Sequence, residues 1–81
     1  MTEQELQAII FQELQKVAPE SNPAELGPDE NIRESLDIDS FSFLRVLVGL
    51  SERTGIDIPE SDYGKVPTVA TMTAYLTVHL H

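Results

Sequence analysis

The chain has 81 residues, 41% of them hydrophobic, which suits one small domain with a modest core over residues 1–81. Fourteen acids against five bases give a formal net charge of −9, which argues against nucleic acid and anionic bilayers and either steers a basic-faced protein partner or merely keeps a small protein in solution. With no cysteine there is no disulfide framework and no thiol chemistry of the chain's own.

The start, Met1-Thr2-Glu3-Gln4-Glu5, is acidic and lacks a long apolar run. It reads as neither signal peptide nor membrane span, so no membrane insertion is expected and the cytoplasm is the default location. Thr2 with Glu5 three residues on is a capping box. Leu6, Ile9, Ile10, Leu14 and Val17 then recur at helical spacing until Pro19, which predicts a first helix over roughly residues 3–18. Residues 19–39 hold Pro19, Pro23, Gly27 and Pro28 among polar residues and read as one long loop. Loops of that length are uncommon in compact domains and often functional. Leu26, Ile32 and Leu36 are spaced to pin it to a core.

A second helix is predicted from Ser40 to about Thr54, with Gly55 just beyond its end. Ile56-Asp57-Ile58-Pro59 alternates like a strand but has no partner strand, so a connector with two buried Ile is expected. Glu60 to Lys65 has room for one helical turn. Thr68 then caps a last helix with Val69, Met72, Leu76 and Leu80 on one face. The fold class is therefore all-α: a small four-helix bundle with a long first loop and a short third helix.

The second helix carries two apolar stripes. At 100° per residue Phe43, Val46, Leu47 and Leu50 fall on one side and form the core stripe. Phe41, Leu44 and Val48, with Arg45 and Glu52, fall on the other. A solvated helix does not need Phe, Leu and Val there. This outer stripe is either a partner-docking surface or the seat of the long first loop. Ser40 stands where a helix start presents free N–H groups and a positive dipole end, which suits an attached phosphate. Ser and Asp before an apolar run are equally ordinary N-caps.

Two other chemistries fail on spacing. Asp37-Ile38-Asp39 hints at a calcium loop, but its fifth, sixth and twelfth positions would be Phe41, Ser42 and Val48 in place of a ligand, a Gly and a Glu. A serine hydrolase needs a His base and a strained turn around the nucleophile. The two histidines, His79 and His81, sit at the C-terminal end and read as a tail, so no metal site is expected.

Leu36-Asp37-Ile38-Asp39-Ser40-Phe41, Gly55-Ile56-Asp57-Ile58-Pro59, Asp62, Lys65-Val66 and Thr68-Val69 occur in this order. At these spacings the chain resembles the acyl carrier protein family over about residues 3–78. The resemblance implies a shuttle and not an enzyme, with no catalytic residues of its own. It makes Ser40 the attachment point of a 4′-phosphopantetheine arm taken from coenzyme A inside a separate phosphopantetheinyl transferase. It makes Asp39 the acid that helps orient the transferase's Mg²⁺, and Phe41 the apolar residue that packs into partner enzymes. An acyl or aminoacyl group would ride as a thioester at the arm's tip. Val46, Leu50, Ile58 and Val66 would either line a space for that group or form plain core. A monomer serving acyl-processing enzymes is expected. The alternative is an unmodified acidic interaction domain of the same fold.

Three positions depart from the family's pattern. Asp37 replaces the Gly often found two residues before the acid, and Phe41 replaces Leu or Met. The second helix carries Arg45 and a single acid, Glu52, where carriers of fatty-acid synthesis bear several acids. Docking on basic enzyme patches should be weakened accordingly. A specialised carrier, for polyketide, peptide, modified lipid or aminoacyl transfer, therefore stands beside a fatty-acid role.

Overall fold

Thr2 accepts from the Glu5 backbone N–H at 3.1 Å and Glu5 reaches back to Thr2, so the predicted capping box starts helix α1, Glu3–Val17. The computed structural model describes residues 1–80. Among them it contains three further α-helices: α2 (Ile32–Leu36), α3 (Ser40–Thr54) and α4 (Val69–His79). A 3₁₀ turn occupies Pro23–Glu25, and a 3₁₀ segment, Glu60–Lys65, fills the place of the expected short third helix. The all-α architecture is as the spacing predicts. The first connection is more ordered than a loop, because it contains α2.

α2 has a local cause that the residue pattern does hold. The Asn31 side chain accepts from the Glu34 backbone N–H at 2.9 Å, an ordinary N-cap three residues ahead of an acid. Ile32 is fully buried beneath it. The short helix is also held from outside. Ile32 N–H donates to the Pro67 carbonyl at 2.9 Å, and Ala70 N–H to the Pro28 carbonyl at 3.0 Å. These bonds tie the first connection to the start of α4, where an isolated bridge pairs Asn31 with Thr68.

The core joins all the long helices. Leu6, Ile10 and Leu14 from α1 meet Val46, Leu47 and Leu50 from α3 and Met72 and Leu76 from α4, all essentially without exposure. Each such side chain contributes roughly 1.5–3 kcal/mol when fully buried. Ile56 and Ile58 are buried as expected, and Leu26, Leu36 and Leu80 pack partly against the cluster.

α1 and α3 meet around a buried carboxylate. Glu13 lies against Gly49, and a Cβ there would stand 2.9 Å from its Cδ and overlap Oε1. Lys16 Nζ at 2.8 Å and Arg53 Nη1 at 3.3 Å neutralise the charge. Burying an acid is tolerable only with such partners. On the far side of the core the Tyr75 hydroxyl donates to Asp62 Oδ2 at 2.6 Å, fastening α4 to the 3₁₀ segment. That bond, helped by burial, pushes the Tyr75 phenol up to about 12, and together with Lys65 it holds the Asp62 carboxyl down against the effect of burial. His79 stacks on Tyr75 with ring centroids 4.3 Å apart, and His81 lies outside the described residues.

Candidate functional site: the start of α3

The chain enters α3 through a tight reversal. At the end of α2, Asp37 adopts φ 52° and ψ 47°, the left-handed conformation for which glycine is the usual choice. Ile38 N–H then donates to the Arg33 carbonyl at 3.0 Å and Asp37 N–H to the Glu34 carbonyl at 3.4 Å. This is a Schellman closure. It explains why a Gly suits this position, and Asp is among the few other residues that adopt the same conformation.

Asp39, and not Ser40, is the N-cap of α3. Its Oδ1 accepts from the Ser42 backbone N–H at 2.7 Å. That N–H, aided by the Ser42 hydroxyl and by the charge of Arg33, holds the Asp39 carboxyl below its ordinary value. Ser40 is the first residue of the helix and is exposed. Among the described residues its hydroxyl takes part in no hydrogen bond, so the capping role offered by the residue pattern falls to Asp39. What remains is an exposed, unbonded hydroxyl in the first turn of a fifteen-residue helix.

Two hollows flank this point. A cleft of about 270 Å³ includes Ser40, Phe43 and Leu44 of α3, Asn31 and Arg33 of the first connection, and Tyr63, Gly64 and Pro67. A larger groove of about 550 Å³ lies between α3 and α1. Phe41, Leu44, Arg45, Val48 and Glu52 line it from α3, and Glu13, Lys16 and Val17 from α1. The five outer-stripe residues therefore share one groove. Phe41 is 66% and Val48 47% exposed, and no residue of the first connection lines that groove. Val46, Leu50, Ile58 and Val66 are buried in the core cluster. A group entering between the helices would enter among packed side chains. Arg33 was not singled out by the residue pattern. It stands seven positions before Ser40, and only the reversal at Asp37 brings it to the same cleft.

Comparison with known proteins gives this site its class. The family model described as "Phosphopantetheine attachment site" matches residues 5–76. The chain belongs to this family, the phosphopantetheine-binding carrier domains of acyl carrier proteins. It is 30% identical over 76 residues to the meromycolate extension acyl carrier protein of Mycobacterium tuberculosis (strain ATCC 25618 / H37Rv), covering 94% of this chain and 65% of that one. It is 29% identical over 75 residues to an acyl carrier protein of Rhodococcus erythropolis, covering 93% of this chain and 81% of that one. An acyl carrier protein of Rubrobacter xylanophilus is 27% identical over 73 residues, with 86% and 90% covered. The chain thus spans less than two thirds of the length of the mycobacterial relative. The cofactor of this family is 4′-phosphopantetheine. Among the described residues no helix is long and apolar enough to cross a membrane.

Proposed function

We infer that this chain is a single carrier domain over residues 1–81 whose Ser40 accepts the 4′-phosphopantetheine arm of coenzyme A. The observation that carries the reading is the Ser40 hydroxyl, exposed and unbonded in the first turn of α3 while Asp39 takes over the cap. A radius of gyration of 11.3 Å fits the roughly 12 Å of one compact domain of this length.

Inside a transferase, Ser40 Oγ forms a bond to the phosphorus nearest the pantetheine and the pyrophosphate P–O bond breaks. The 3′,5′-bisphosphorylated adenosine leaves and the hydroxyl proton passes to the transferase. Asp39, ionised and exposed, is placed to share the transferase's Mg²⁺. Once attached, the arm supplies a terminal thiol that holds an acyl or aminoacyl group as a thioester. The chain itself needs no catalytic residue.

Phe41, Leu44, Arg45, Val48 and Glu52 form the face offered to acyl-processing enzymes. Phe41 and Val48 supply apolar anchors and Arg45 sets a preference for an acid opposite it. A carrier with this cation suits a specialised pathway as well as fatty-acid synthesis. Cytoplasmic location and a monomeric state complete the proposal.

The test is intact mass before and after incubation with coenzyme A, Mg²⁺ and a broad-specificity phosphopantetheinyl transferase. A gain of one phosphopantetheinyl unit on Ser40 is expected. Ser40→Ala should abolish the gain and leave helicity unchanged. A folded wild-type chain that gains nothing beside a working control carrier would point instead to an unmodified interaction domain.

A further inference from the structure

We propose that Arg33 is the counter-ion of the phosphodiester that joins the arm to Ser40, and so a positioning residue for the arm. The proposal rests on the reading of Ser40 above. Arg33 and Ser40 line the same cleft, together with Asn31, Phe43, Tyr63 and Pro67. A second hollow of about 370 Å³ holds Arg33 with Asn31, Glu34, Asp37 and Ile38, so Arg33 borders two clefts beside the serine. Its place is set by the backbone: the Arg33 carbonyl accepts the Ile38 N–H that closes the reversal into α3.

Charge gives the site its need. Ser40 follows two exposed acids, Asp37 and Asp39, and a phosphodiester on its oxygen adds a third negative charge. The N–H groups at the start of α3 offset part of that charge. Arg33 is the one full cation lining the cleft. The other bases are engaged or elsewhere: Lys16 and Arg53 hold Glu13, Lys65 holds Asp62, and Arg45 lies on the groove towards α1. Among the described residues Arg33 has no carboxylate within ion-pair distance, so its guanidinium is available to a new anion. Its field already reaches Asp39, next to Ser40. A planar guanidinium matches phosphate oxygens with paired hydrogen bonds, which an ammonium cannot do. An arm held there starts on the cleft side of α3 and leaves the Phe41–Val48 groove free for partners.

The experiment uses the whole chain, loaded and unloaded, with loading verified by mass. The Arg33 Nε–Hε resonance should move on loading, and the movement should shrink as salt rises from about 0.05 M to about 0.5 M. Arg33→Gln should lower the Tm of the loaded chain by about 2–4 °C more than that of the unloaded chain, and Arg33→Lys should recover part of this. A loaded wild-type chain whose Arg33 resonance stays in place overturns the proposal and leaves the carrier reading intact. Equal Tm losses in loaded and unloaded Arg33→Gln do the same. No mass gain at Ser40 in the wild type overturns both readings at once. Should Arg33→Gln resist loading, the wild-type resonance decides alone.

Discussion

The two faces of α3 are built from the same kinds of side chain and have opposite fates. Phe43, Val46, Leu47 and Leu50 are at most 7% exposed, whereas Phe41 is 66% and Val48 47% exposed. The inner face is held by α1, α4 and the connector after α3. The outer face looks onto an open groove, although α1 stands at its edge. Apolar character alone therefore does not assign a stripe to the core. A small domain has only one interior, and once α1 and α4 fill it a second stripe on the same helix stays outside. Side chains kept apolar there contribute little to folding, which is the ground for proposing them as a partner-docking face.

That contrast can be broken at its inner face first. Leu50→Ala removes a side chain with no exposure and should destabilise the chain by about 2–5 kcal/mol in urea unfolding. That is a large fraction of the total for a domain of this size. A loss comparable to an exposed-face substitution would contradict the assignment of the core.

The cap comes next. Asp39→Ala should lower the Tm by a few degrees, because Ser42 N–H loses its acceptor. Asp39→Asn should keep most of the stability. The Asp39 carboxyl is held below its ordinary value of 3.8, so its contribution is fully present above that pH and fades as pH falls through the depressed value. Asp39→Asn should flatten this acid-side decline in a Tm-against-pH series.

A smaller gain is expected at Asp37. Its left-handed backbone is costly for a residue with a Cβ, so Asp37→Gly should stabilise the chain by about 0.5–1 kcal/mol. The added freedom of glycine in the unfolded chain limits the gain. Chemical denaturation would show a higher midpoint at unchanged slope.

The outer face should respond least. Phe41→Ala and Arg45→Glu should each change stability by no more than about 0.5 kcal/mol. Their effect belongs in partner kinetics instead. Phe41→Ala should weaken transfer to acyl-processing enzymes, and Arg45→Glu should improve turnover by fatty-acid-synthesis enzymes that present basic patches. A Phe41→Ala chain as destabilised as Leu50→Ala would erase the distinction between the faces.

Much of this molecule is legible in its residues. The capping box at Thr2, the stop before Pro19, Gly55 beyond α3 and Thr68 ahead of α4 are local signals. They act within three or four residues, so tertiary packing has little chance to override them. The 3.6-residue period fixes which side of each helix is apolar for the same reason. Ser40 and Asp39 were visible through their order and spacing with Gly55, Pro59 and Thr68. α2 was signalled by Asn31 and Glu34, but a five-residue helix is too short to show a period, and its stability comes partly from the Ile32 bond to Pro67.

The sequence by itself determined the three long helices, the serine at the head of α3 and the existence of two apolar stripes on that helix. Only the tertiary structure decided which stripe is buried and which cation stands beside the serine. Those outcomes depend on distant partners. Glu13 meets Gly49 across two helices, and Arg33 reaches Ser40's cleft only because Asp37 turns the chain back. A linear pattern encodes neighbours along the chain, whereas contacts across it follow from how the helices share one small interior.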